Sequence, residues 1–178
     1  MTEWIFCLIQ SYQTIFVGLL GFSGVIITML ANAKIQRNQI KRTQLHEANS
    51  LRIALKSELN ANVNAYQLRI EQFKEPSESD KDAIVPNRAT DGIYKELLNK
   101  IGLLSENELE KIIKAYALLS ELPYRIRILV GTDNIGGFEN EFLRVKNNKL
   151  KTVLKIHESI LPSLIEATEE IEHQLKKA

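Results

Sequence analysis

The sequence predicts an all-α protein: one N-terminal transmembrane helix that continues into a long helix, followed by a helical-bundle domain. Three observations lead there. No charged side chain occurs from Trp4 to Ala33. No Gly or Pro occurs between Gly24 and Pro76, so nothing in the sequence ends a helix over that span. From Leu45 onward apolar residues recur at steps of three, four and seven, the period of one helix face.

Composition bounds the reading. The chain has 178 residues, room for one domain of ordinary size, and at 44% hydrophobic and 25% charged most of it can fold around a core. The net charge of +1 implies neither DNA nor an acidic partner, and no DNA is expected to bind. Cys7 is the single cysteine, so no internal disulfide can form, which fits a reducing compartment for the soluble part. With no CxxC, no HExxH and three scattered histidines, neither a metal site nor any other cofactor is expected.

The first element is the apolar stretch Ile15 to Ala33, 19 residues against the roughly 20 needed to cross about 30 Å of hydrocarbon. A signal peptide would want basic residues ahead of it, but that flank holds Glu3 and no Lys or Arg. The basic residues Lys34, Arg37, Lys41 and Arg42 follow it instead, with no acid before Glu47. That asymmetry predicts a single pass through the inner (cell) membrane, N-terminus out, with residues 1–33 forming the membrane segment and 34–178 a cytoplasmic domain. Trp4 and Tyr12 are residue types that settle at the outer interface.

Small and polar residues of this helix trace one narrow face: Gln10, Thr14, Gly21, Gly24, Thr28 and Ala31. In lipid, where no hydrophobic force drives helices together, small residues let backbones approach. The face is therefore expected to pack against identical helices of other copies, and in a ring part of it would border a central pore. The collar Lys34, Arg37, Lys41 and Arg42 suits anionic headgroups better than RNA and would rim the cytoplasmic mouth, favouring anions.

The remaining elements follow in order. Leu45, Ala48, Leu55, Leu59, Tyr66, Ile70 and Phe73 form an apolar stripe, and Asn60, Asn62 and Asn64 are expected to be exposed or at an interface. Residues 75–90 hold two prolines and read as a loop. Asp91 is the expected N-cap of a short helix ending near Gly102. Ser105 and Glu108 form a capping box for a helix faced by Leu109, Ile112, Ile113, Tyr116 and Leu119, which Pro123 kinks or breaks. Tyr124 to Val130 is the nearest thing to a strand but reads as helix. Gly131 to Gly137 is a loop without the Lys of a phosphate loop. Phe138 is expected to open the last long helix, which Pro162 bends or splits, leaving Ser163 to Lys177 as a terminal helix. Five or six helices result.

Catalytic chemistry has few carriers. His46 and His173 read as solvated. His157 follows Lys149, Lys151 and Lys155 and reads as a surface residue of a Lys-rich helix. In the HEPN family of all-helical ribonucleases an Arg and a His stand four to six residues apart on one helix. Here Lys151 stands in the place of that Arg, and Lys lacks the planar fork that grips a phosphate twice. The chain is therefore not expected to be an enzyme.

The layout of the chain resembles the small membrane accessory proteins encoded beside the RNA-guided RNase of type VI-B CRISPR systems. The resemblance rests on the anchor Ile15–Ala33, the helical domain behind it and the degenerate pair Lys151 and His157. It implies a HEPN-like bundle and a homo-oligomeric membrane pore. It further implies that the pore depolarises an infected cell when the RNA-guided RNase, a prospective partner, is activated. Two other readings fit the same residues: a membrane-tethered adaptor that recruits a soluble protein, and a degenerate HEPN ribonuclease.

Overall fold

The computed structural model describes residues 2–74, 82–130 and 141–177. The chain is mostly helical, with one small sheet. Its elements are α1 (Thr2–Lys74), β1 (Ala83–Pro86), α2 (Gly92–Leu97) running into a 3-10 turn (Leu98–Leu103), α3 (Glu106–Val130), β2 (Phe142–Val145) and α4 (Asn147–Lys177). The chain divides into two compact units, Met1–Leu45 and His46–Ala178.

The first unit is part of α1 alone. Its described residues are almost all exposed, including every large apolar side chain from Ile15 to Leu30. The second unit has a core built from three helices. Leu51, Leu55, Leu59, Val63 and Tyr66 come from α1, Ile112, Tyr116, Leu119 and Ile126 from α3, and Val153, Ile160, Leu164 and Ile171 from α4. Most of the apolar stripes read in α1 and α3 therefore do face one core; Leu45 and Ile113 are exposed, and Leu109 is only half-buried and outside the core cluster.

Ion pairs fix the directions of these helices. Lys56 meets Glu172 at 3.2 Å and Lys74 meets Glu158 at 3.6 Å, so this part of α1 runs antiparallel to α4. Lys111 meets Glu170 at 2.8 Å and Lys114 meets Glu166 at 3.9 Å, so α3 is antiparallel to α4 as well. The exposed pair of Lys74 and Glu158 contributes little, about 0–1 kcal/mol. Burial of the apolar stripes supplies most of the stability.

Several local expectations are corrected here. The chain is not purely α: β1 and β2 pair antiparallel, Val85 opposite Leu143 and Ala83 opposite Val145. Val85, Leu143 and Val145 point into the core while Ile84 and Arg144 point out. Four residues are too few for alternation to stand out from a loop in sequence. The last helix opens at Asn147, because the chain enters it from β2 rather than at Phe138. Pro123 and Pro162 both lie inside continuous helices, α3 and α4, so neither breaks or splits its helix; Tyr124 to Val130 is helical, as its sequence reads. Phe138 and the loop Gly131 to Gly137 lie outside the described residues, as does most of the first half of the loop over 75–90.

Candidate functional site

Over Ile15 to Leu30 the large apolar side chains of α1 are 42–69% exposed on every side of the helix. An 18-residue window of this region has a mean hydropathy of 2.0 with none of its residues buried. The stretch Ile15 to Ala33 rises about 28 Å at 1.5 Å per residue, near the thickness of a bilayer's hydrocarbon. The chain thus carries one helix apolar and long enough to cross a membrane.

The two hydroxyls within the stretch are accounted for internally. The Ser23 hydroxyl donates to the Leu19 carbonyl at 2.7 Å, and the Thr28 hydroxyl donates to the Gly24 carbonyl at 2.8 Å. A hydroxyl satisfied by its own helix needs no water. Of the predicted face, Gln10 and Thr28 are exposed, and Gly21 and Gly24 have open space where a side chain would be. The side chain of Thr14 lies outside the described set. At 100° per residue, Gln10, Gly21, Gly24 and Thr28 fall within an arc of about 60°. Lys34, Arg37, Lys41 and Arg42 are all exposed, and none forms an ion pair among the described residues.

The pair Lys151 and His157 is not brought together at one surface. Lys151 is exposed, whereas His157 is 1% exposed. The expectation of a surface histidine is overturned: His157 sits between Tyr66, 5.3 Å away between ring centres, and Phe73, 5.9 Å away and nearly stacked. Neither ring nitrogen finds a hydrogen-bond partner among the described residues. Burial, with a smaller contribution from Arg69, pushes the imidazole down from 6.5 to about 4. His157 is therefore a neutral core residue with no path to an RNA phosphate. Its spacing held the signal: Val153, His157, Ile160, Leu164, Ala167 and Ile171 repeat at four, three, four, three and four. His173 is exposed, 3.9 Å from Glu170, and His46 is exposed. Among the described residues no three His, Cys, Asp or Glu gather as a metal site.

Two buried carboxylates organise the folded unit, and neither pairing was legible beforehand. Half of the capping box at Ser105 and Glu108 is present: the Ser105 backbone amide donates to the Glu108 carboxylate at 2.9 Å, and the Ser105 hydroxyl donates to it as well, at 2.7 Å. Glu108 is also fully buried and gripped by Arg52 through two hydrogen bonds of 2.7 and 2.9 Å. Burial pushes the Glu108 carboxyl up, but the donors on Arg52 and Ser105 outweigh it and hold the group below its ordinary range. At α2 the expected cap fails. Asp91 occupies the N-cap position but makes no side-chain cap. Glu58 of α1 does the work instead, accepting from the amides of Ile93 (2.8 Å) and Tyr94 (3.0 Å) and from the Tyr116 hydroxyl (2.7 Å). Burial first, and the Glu58 carboxylate second, raise the Tyr116 phenol well above its usual value. Asn62, expected outside, is buried and donates to the Thr90 carbonyl at 2.8 Å.

No family model matches the chain, and neither a curated protein nor a solved structure matches it.

Proposed function

We propose that this chain is a single-pass membrane protein that assembles with copies of itself into a pore, its folded unit lying on the cytoplasmic face. The observation that carries the reading is the exposure of apolar side chains all round α1 from Ile15 to Leu30. In water such a helix would present its whole girth to an unfavourable solvent, at about 25 cal/mol per Å² of apolar surface. Lipid removes that cost, and the internally bonded hydroxyls of Ser23 and Thr28 remove most of the remaining one. The positive residues that follow the stretch favour retention of the folded unit inside.

One helix cannot enclose a channel, so conduction requires several copies. Gly21 and Gly24 leave space on the shared face for a neighbouring backbone. In such a ring Lys34, Arg37, Lys41 and Arg42 would surround the inner mouth. The layout shared with accessory proteins of type VI-B CRISPR systems extends the proposal to antiviral defence, with an RNA-guided RNase as the trigger. The burial of His157 leaves the ribonuclease alternative without an accessible base.

The test is made on the full-length chain in mild detergent and in vesicles. A large assembly that passes ions when reconstituted supports the proposal, and Gly21→Leu with Gly24→Leu should shrink it. A monomer in detergent overturns the assembly. An assembly that binds soluble protein but conducts nothing overturns the pore and leaves the adaptor. Unchanged membrane potential in cells that express the chain with an activated RNA-guided RNase would remove the defence role alone.

A further inference from the structure

The folded unit holds an open cavity of about 510 Å³ between the segment that follows β1 and one face of α3. That volume lies within the roughly 300–1,000 Å³ of small-molecule sites. Its chemistry is set by Arg88, Asp91, Lys95, Ser120, Tyr124 and Arg127. The last three stand at i, i+4 and i+7 in α3, which places them on one side of the helix.

The charges in this lining do not cancel. Asp91 is its one carboxylate, and Lys95 neutralises it at 3.0 Å. The other Asp91 oxygen is a weak 3.5 Å contact of the Ser120 hydroxyl. The side chains of Arg88 and Arg127 have neither an ion pair nor a hydrogen bond among the described residues; Arg88 is exposed and Arg127 half-buried. A half-buried guanidinium without an anion is costly, and its fork of donors matches phosphate oxygens in pairs. The third feature is Tyr124, whose side chain is 65% exposed although it lines the cavity. An aromatic ring offered to solvent beside unpaired arginines supplies a flat apolar face next to an anion grip. A ligand that uses both carries a phosphate and a planar ring.

We infer that this cavity binds a nucleoside phosphate, its phosphate held by Arg88 and Arg127 and its base laid against Tyr124. Base stacking on an aromatic side chain is tolerant of base identity, so the four ribonucleoside monophosphates are suitable probes. The inference shares no residue with the membrane stretch and stands whether or not the pore does.

Titration calorimetry on the detergent-solubilised full chain tests it, with AMP, GMP, CMP and UMP as ligands and ribose 5-phosphate, adenosine and inorganic phosphate as controls. Saturable binding of at least one nucleotide is expected. Arg88→Ala or Arg127→Ala should weaken it at least tenfold. Tyr124→Leu should weaken the nucleotide but not ribose 5-phosphate, and Tyr124→Phe should restore it. Circular dichroism of each variant separates lost binding from lost fold. The inference is overturned if no nucleotide saturates, if either arginine is dispensable in a folded variant, or if ribose 5-phosphate or inorganic phosphate binds as well as the nucleotide. A single-stranded RNA oligomer that binds a hundredfold more tightly through the same residues would also overturn it, in favour of an RNA surface.

Discussion

Helix α1 treats its apolar residues in two opposite ways along one backbone. Over Ile15 to Leu30 they surround the helix and stay exposed. Over Leu51 to Ile70 most of them fall on one stripe and are buried, Ile53 and Leu68 excepted, while polar and charged residues occupy most of the rest. Backbone geometry is the same in both regions, so the difference lies in how charge is distributed around the axis. A ring of apolar residues calls for a solvent that is itself apolar, and a stripe calls only for a neighbouring helix.

The sharpest way to break that contrast is to put charge into the apolar ring. Leu20→Arg combined with Ile27→Arg should cost about 5–7 kcal/mol of insertion free energy, at roughly 2.5–3.5 kcal/mol per central arginine. The variant should leave the membrane pellet on fractionation, and one that still pellets with lipid would undo the assignment of α1 to a bilayer.

The folded region answers to a different change. In Arg52→Met the Glu108 carboxylate stays buried without its cation, at a cost of about 3–5 kcal/mol. Urea unfolding followed by far-UV circular dichroism measures this, and a loss below about 1 kcal/mol would mean the pair is not buried in solution. Acid gives the next effect. The folded chain holds His157 near 4 against 6.5 ordinarily, so the unfolded chain takes the proton first. Stability is whole above pH 6.5 and falls as the pH drops towards 4, by about 3 kcal/mol in total. His157→Leu should flatten that slope, and an unchanged slope would place the titration elsewhere. The smallest effect belongs to the surface. Lys56→Ala removes a partly buried partner of Glu172 and should cost about 1 kcal/mol or less in the same urea assay.

What the sequence reveals follows the range of the interactions involved. The stripes of α1 and α3, the capping box at Ser105 and the apolar stretch before Lys34 are local patterns, and each could be read in place. Arg52 with Glu108, and Glu58 with Ile93, Tyr94 and Tyr116, join residues 35 to 58 positions apart. Nothing near either glutamate announces its partner, so Asp91 looked the better cap for α2. His157 reads as a surface residue for another reason: three neighbouring lysines mask a helical period that points inward. Arg88 and Arg127 lay in segments read only as loop and helix, and their convergence appears once α3 packs beside the segment after β1.

The Glu58 arrangement has a consequence for how the unit melts. Six residues of α2 are far too few to hold a helix in water alone, and their first amides are capped from another element. Order in α2 is thereby borrowed from α1, and the two should lose amide-exchange protection together, at one free energy rather than two. A short surface helix that would ordinarily fray first becomes a reporter of whether its distant neighbour is seated.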